Sequence, residues 1–172
     1  ANENFDYVWV KAGEEYYLMA KDLVDETMKA GKIEEYEVLP DAIEGKRLEG
    51  LVFQHPFYEA RKVPIVLGEH VTLEAGTGLV HTAPDHGVDD FNVCMKYSAW
   101  GLKPLGTVGP DGCYTDKIPE YQGKFAFDMN VPIIKRLAEL GVLFAKGSLR
   151  HQYAHCWRCK NPIIYRATEQ WF

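Results

Sequence analysis

The sequence lacks any apolar run near the roughly 18 residues that a membrane-spanning helix requires, and it opens at residues 1–5 with neither a basic nor an apolar leader. A secretory signal is therefore not predicted. Cysteine is sparse, with four residues in 172, which excludes a disulfide scaffold and favours a reducing compartment. Hydrophobic residues make up 47% of the chain, which excludes a disordered or collagen-like protein. We expect one soluble, cytoplasmic, monomeric domain without a membrane partner.

An excess of positive charge is also missing, because the net charge is −6. Residues 1–139 hold 14 Lys/Arg and 24 Asp/Glu, whereas residues 140–172 hold five basic residues and one acid. The acidity of residues 1–139 is not typical of a protein that binds nucleic acid by itself, since contacts to phosphates need clustered Lys and Arg. The basic end is consistent with contact to a phosphate backbone, with an acidic neighbouring domain, or with a solvated face.

Hydrophobic periodicity predicts a mixed α+β domain whose middle is β-rich. Short apolar runs separated by Pro and Gly indicate a small barrel or a strongly curved sheet. The predicted strands are 5–9, 16–20, 36–40, 51–53, 63–67, 70–73 and 79–82, and the predicted helices are 22–30, 88–100 and one that begins near Asn130 as its N-cap.

Residues 76–91 form the densest cluster of polar and conformationally special residues, at a predicted junction between a strand and a helix. Such loops commonly carry binding residues, because the flanking elements hold them in place. Asp90 could pair with an ammonium group, and the imidazole of His81 could hydrogen-bond beside it. No Ser or Cys adjoins a His as an obvious nucleophile, so a hydrolase built here would activate water or use help from the substrate.

The same residues also have ordinary structural interpretations. Asp89 and Asp90 suit the first turn of any helix, where a carboxylate contributes about 0.3–1 kcal/mol. His81 could be a satisfied core histidine. Residues 76–78 could form only a turn, since they lack the Lys of a phosphate-binding loop.

Four motifs, in order along the chain, closely resemble the editing domain of class I isoleucyl-tRNA synthetases. They are Gly76-Thr-Gly-Leu-Val-His-Thr-Ala-Pro, His86-Gly-Val-Asp-Asp-Phe, Val108-Gly-Pro-Asp-Gly and the run from Cys156-Trp-Arg-Cys to Arg166-Ala-Thr-Glu-Gln-Trp-Phe. The first is shared with valyl and, more loosely, leucyl enzymes. The last favours the isoleucyl enzymes.

The resemblance implies a β-barrel-centred insertion, the connective polypeptide, which projects from a catalytic domain that uses ATP and magnesium. Its activity is hydrolysis of valine wrongly esterified to the isoleucine tRNA. These synthetases are the standard example of a limit on the selection of amino acids by binding. The one methylene by which isoleucine exceeds valine gives only about 1–3 kcal/mol of discrimination between them. The implied partners are the aminoacylated 3′ end of tRNA, its valine moiety and the catalytic domain of the same chain.

The resemblance also assigns roles to individual residues. It implies that Asp90 holds the α-ammonium of the amino acid and that His81 lines the pocket near the side chain and the terminal ribose, which makes these two the candidate catalytic residues. It also implies that water attacks the ester, with help from a hydroxyl of the terminal adenosine. The candidate substrate-binding residues, on the same walls, are Thr77, Gly78, Thr82 and His86.

One departure from the family pattern concerns threonine. The family carries a threonine-rich stretch upstream that forms the opposite wall of the pocket, whereas the seven threonines here are scattered. Both ends also look cut. We therefore expect an N-terminally truncated editing domain over residues 1–150, impaired in activity, and an extended return segment over residues 151–172 that leads toward the catalytic domain.

Cys156 and Cys159 form a single Cys-x-x-Cys knuckle, whereas a structural zinc site needs four ligands. A redox pair or two free thiols are the alternatives. In some members of the resembled family, a second pair far upstream completes a zinc site with this one, so we expect a half-site here. No cofactor is expected in the chain by itself. A valyl enzyme's editing domain, which clears threonine, and a non-catalytic zinc-knuckle interaction module are the rival functions.

Overall fold

The computed structural model describes residues 1–148, 152–169 and 171. The chain divides into two compact units. The first comprises Ala1–His81 with Phe144–Lys146, and the second comprises Thr82–Leu143 with Gly147–Phe172. Within the described residues, no helix is long and apolar enough to cross a membrane. The predicted domain boundary at residue 150 lies outside the described residues and stays a prediction.

The first unit is built on a four-stranded antiparallel sheet around one central strand. Strand β1 pairs along one edge with β2, in a register that places Tyr7 opposite Ala20, and along the other edge with both β3 and β4. The strand bounds are β1 Asp6–Ala12, β2 Glu15–Ala20, β3 Glu37–Val38 and β4 Ile43–Glu44. The predicted N-terminal hairpin is therefore confirmed.

Both faces of this sheet are covered, because alternation along β1 and β2 sends apolar side chains to each side. Tyr7, Leu18 and Ala20 share one buried cluster. The opposite cluster contains Val8, Val10 and Met19, together with Val24 and Met28 of helix α1 (Val24–Ala30). Since α1 follows a 3₁₀ turn over Lys21–Leu23, the predicted helix 22–30 is confirmed.

The barrel expected in the middle of the chain does not close within the described part of the molecule. Strands β5 (Val52–Gln54) and β6 (Lys62–Pro64) form a separate two-stranded sheet. The predicted strands 70–73 and 79–82 are wrong, because those residues join no ladder. Gly76 and Gly78 have φ of +81° and +72°, and such left-handed backbone interrupts an extended strand. The α+β class itself is confirmed.

The second unit contains helices α2 (Val88–Lys96) and α3 (Asn130–Glu139). Helix α2 ends four residues earlier than predicted, since Ser98–Trp100 forms a separate 3₁₀ turn. Asn130 is the first residue of α3 rather than its cap, and Met129 precedes it without a side-chain capping bond. The buried side chains of this unit include Val93, Cys94, Val108 and one carboxylate, Asp85.

Candidate functional site

The six predicted active-site residues are divided equally between the two units, because the division falls directly after His81. Each set lies in the segment that the sequence indicated, but on turns, irregular backbone and a helix start rather than on a strand. The first unit contains Thr77, Gly78 and His81, and the second contains Thr82, His86 and Asp90.

Residues 76–78 are held to the first unit at three successive carbonyl oxygens. The donors are Thr27 Oγ1 to Gly76 O at 2.6 Å, Ala20 N to Thr77 O at 2.8 Å and Tyr7 Oη to Gly78 O at 2.8 Å. Burial raises the pKa of Tyr7, so its phenol stays protonated as a donor. Side chains and backbone from α1, β2 and β1 thus fix the path of this segment.

Gly78 lies directly against strand β2. A Cβ built on Gly78 would stand 2.5 Å from the Cβ of Ala20, and the backbone φ is +72°. Glycine is therefore required here for two independent reasons, space and backbone conformation. Thr77 adds a local bond, since its hydroxyl accepts from Leu79 N at 3.2 Å.

His81 is exposed on the first unit, which excludes the alternative that it is a buried core histidine. A second histidine that the sequence did not single out, His55, lies within electrostatic range of it. Burial is the main factor that lowers the pKa of His55, and Arg61 and His81 act in the same direction. His55 Nδ1 accepts a hydrogen bond from Phe57 N at 3.0 Å, so the neutral ring carries its proton on Nε2.

Asp90 lies in the first turn of α2 and is half-buried. Its carboxylate folds back over the residue before the helix, since a Cβ on Gly87 would stand 2.8 Å from Asp90 Oδ2. Burial and then the Asp90 carboxylate raise the pKa of Cys94, one turn further along. Cys94 is buried, as predicted, and it remains a protonated thiol rather than a nucleophile.

His86 is engaged by the chain at both ring nitrogens. Nδ1 lies 2.8 Å from Tyr165 O, and Nε2 lies 3.4 Å from Thr107 Oγ1. Because a carbonyl only accepts, Nδ1 carries the proton and Nε2 accepts from the hydroxyl when the ring is neutral. A substrate contact by His86 would have to replace one of these bonds.

Asp85 lies between the first two motifs, and the sequence predicted no role for it. Its side chain is buried, and the carboxylate accepts the N–H groups of Leu105 at 2.8 Å and Gly106 at 2.9 Å. Its own carbonyl accepts from Ala167 N at 2.8 Å. No periodicity signals these bonds, because the partners are 20 to 82 positions away in the sequence.

The first unit also contains an apolar pocket of about 220 Å³ that includes Thr77. The sequence placed the other lining residues in predicted strands, in helix 22–30 and in an extended segment, and it indicated no pocket there. They are Trp9, Tyr16, Tyr17, Leu18, Met19, Thr27, Phe53, Leu79 and Phe144. Of the predicted site residues, Thr77 alone lines it.

The Cys-x-x-Cys turn is closed by backbone hydrogen bonds. Cys156 N donates to Asn161 O at 2.8 Å, and Lys160 N donates to Cys156 O at 2.9 Å. Backbone bonds from Cys159 and then Arg158, with the Cys159 thiol, lower the pKa of Cys156, which favours the thiolate that a metal needs. Among the described residues, however, no group of three or more His, Cys, Asp or Glu could hold a metal ion. The pair therefore supplies at most two of four ligands.

Comparison with known proteins yields one consistent result. The chain is 48% identical over 171 residues to the isoleucine–tRNA ligase of Thermoanaerobacter sp. (strain X514), which is 99% of this chain and 18% of that protein. The isoleucine–tRNA ligases of Pasteurella multocida (strain Pm70) and Petrotoga mobilis (strain DSM 10674 / SJ95) are each 46% identical, over 99% and 98% of this chain and 18% of each relative. No family model matches the chain.

Proposed function

We propose that this chain, which is similar from end to end to one segment of isoleucine–tRNA ligases, is the editing segment of such a ligase. It would hydrolyse the ester that joins valine to the isoleucine tRNA. The proposed partners are the 3′ end of the tRNA, its valine moiety and the catalytic domain of the same polypeptide. A cytoplasmic location is part of the same proposal.

The observation that carries the proposal is the half-buried carboxylate of Asp90 in the first turn of α2. An α-ammonium is the one charged group that every aminoacyl ester shares, and a carboxylate in a partly desolvated place pairs with it strongly. Because burial and the Asp90 carboxylate raise the pKa of the neighbouring Cys94 thiol, we do not assign that thiol as a nucleophile, and the proposed reaction is direct attack of water on the ester carbonyl. The C–O bond to the ribose then breaks, which releases valine and restores the ribose hydroxyl.

Zinc has a structural place in this proposal. Cys156 and Cys159 would supply two thiolates, and the remaining two ligands would come from elsewhere in the parent ligase. A zinc ion so held would fix the fold of this turn.

Deacylation of three charged tRNAs tests the function. We expect the full-length protein that carries this chain to release valine from the isoleucine tRNA, to leave isoleucine on the same tRNA, and to act poorly on threonine attached to the valine tRNA. Preferred release of threonine would instead establish the valyl enzyme's activity. Stable esters in all three reactions would favour the non-catalytic zinc-knuckle module.

Replacement of Gly87 with alanine should impair deacylation with little loss of stability. The new Cβ would meet Asp90 Oδ2 at 2.8 Å, and the end of that flexible side chain can swing away. The backbone φ of Gly87, the N-cap of α2, is −159°, which any residue adopts, so the loss of stability is limited to the poorer capping by alanine, about 1 kcal/mol. The check is the deacylation rate beside the thermal midpoint. A normal rate would show that the present position of the Asp90 carboxylate is not the one used in the reaction.

A further inference from the structure

We propose that Asp85 is a positioning residue of the hydrolytic site, which orients the loop and helix start that carry Asp90. The inference rests on the proposed function, since it concerns the same site. It goes beyond that function because none of the four motifs assigns Asp85 a role.

Both oxygens of the Asp85 carboxylate accept hydrogen bonds from within the second unit. The residue is 8% exposed, and its two oxygens each accept one backbone N–H, Oδ2 from Leu105 and Oδ1 from Gly106. A buried carboxylate without such partners would be strongly unfavourable. Two short charge-assisted bonds to adjacent amides also define its direction, because both oxygens are held at once.

Three further hydrogen bonds connect the loop over residues 82–86 to two other segments of the chain, and we call this arrangement the junction. Asp85 O accepts from Ala167 N, and the neighbouring His86 ring bonds to Tyr165 O and approaches Thr107 Oγ1. Segment 105–108 is bonded to the same late segment, because Arg166 Nε donates to Val108 O at 2.8 Å. Loop 82–86, segment 105–108 and segment 165–167 are therefore hydrogen-bonded to one another.

This junction lies immediately before the helix that presents Asp90. His86 N closes a turn onto Ala83 O at 2.9 Å, Gly87 follows, and Phe91 N donates to Gly87 O at 2.9 Å in the first turn of α2. Few freely rotating bonds separate the hydrogen-bonded Asp85 residue from the Asp90 backbone. A displacement of the loop is therefore transmitted to the Asp90 carboxylate, and misplacement by about 1 Å can lower a rate about a hundredfold.

The test compares Asp85→Asn with Asp111→Asn in the full-length protein that carries this chain. Asparagine keeps the size of Asp85 but turns an NH₂ group toward one of the two backbone donors. Asp111 is the matched control, since its Oδ1 also accepts a backbone N–H, from Cys113 at 3.0 Å, at an exposed turn of the same unit. We expect Asp85→Asn to lower kcat for release of valine about 10- to 100-fold and to change KM less than about threefold. Asp111→Asn should change neither.

A double-mutant cycle with Asp90→Asn separates positioning from general loss of structure. If Asp85 acts through Asp90, Asp85→Asn should lower kcat less than about threefold further in the Asp90→Asn background. An undiminished second effect would overturn the proposal. Amide hydrogen exchange gives an independent readout, because the Leu105 and Gly106 amides should be protected in the unsubstituted protein and should exchange at least about tenfold faster in Asp85→Asn. Rapid exchange of both in the unsubstituted protein would also overturn it.

Failure of the two proposals can be distinguished. If the unsubstituted protein does not release valine, the proposed function and the positioning role both fail. If it releases valine and Asp85→Asn does so equally well, the positioning role alone is wrong.

Discussion

Replacement of Gly78 with alanine is expected to destabilise the first unit by about 2–5 kcal/mol. One part of this cost is backbone strain, because φ is +72° and an L side chain in the left-handed region costs about 1–2 kcal/mol. The other part is a clash, since the new Cβ would stand 2.5 Å from the Cβ of Ala20. Ala20 is fully buried in β2, so relief requires a shift of backbone.

Gly76 offers a matched control two residues earlier. Its φ is +81°, but a Cβ there would meet nothing within 4 Å. Gly76→Ala should therefore show the strain alone, about 1–2 kcal/mol, and the difference between the two variants measures the clash. The measurement is the free energy of unfolding from urea titrations of both variants. Equal losses would mean that Gly78 does not approach β2 as closely as the structure shows.

Replacement of Asp90 with alanine is expected to lower kcat/KM for release of valine about 10- to 150-fold. Loss of a charge-assisted bond to an ammonium group costs about 1.5–3 kcal/mol, and each 1.36 kcal/mol corresponds to a factor of ten in rate. The fold should survive, because Asp90 is only half-buried. Formation of Ile-tRNA by the parent ligase should be nearly unchanged, since the substitution lies in the proposed editing segment.

Asp89→Ala is the control for this experiment. Asp89 shares the first turn of α2 but is exposed, so its removal costs only the helix-dipole contribution of about 0.3–1 kcal/mol. The assay is release of valine from the isoleucine tRNA under multiple-turnover conditions. A rate for Asp90→Ala equal to that of Asp89→Ala would refute the assignment of the ammonium contact to Asp90.

The N-terminal hairpin and the first helix were predictable from the sequence because their signals are local. Alternating side chains along β1 and β2 set the register that buries Tyr7 and Val8 on opposite faces. The stripe of Val24 and Met28, which ends at Gly31, indicated α1 by the same kind of short-range pattern. The similarity to isoleucine–tRNA ligases was also readable from motifs alone, and the comparisons confirm it across 99% of the chain.

Strands 70–73 and 79–82 were predicted from apolar composition, and the tertiary structure decided otherwise. The backbone groups near Gly76–Gly78 bond one at a time to three different elements, through Thr27, Ala20 and Tyr7. A strand needs a continuous partner, which composition cannot supply. The expected barrel therefore does not close within the described residues.

The surroundings of the candidate site likewise came only from the tertiary structure. Sequence motifs indicated Asp90 and His81. They did not indicate the two hydrogen bonds that the buried Asp85 carboxylate accepts, or the hydrogen bonds at both ring nitrogens of His86. Those bonds join residues 20 to 82 positions apart, so no periodic pattern in the sequence predicts them. The sequence by itself determined which residue types stand in the loop and where the hairpin and helices lie. Long-range hydrogen bonds, which form only when distant segments meet, decided which of those residues hold the loop in place.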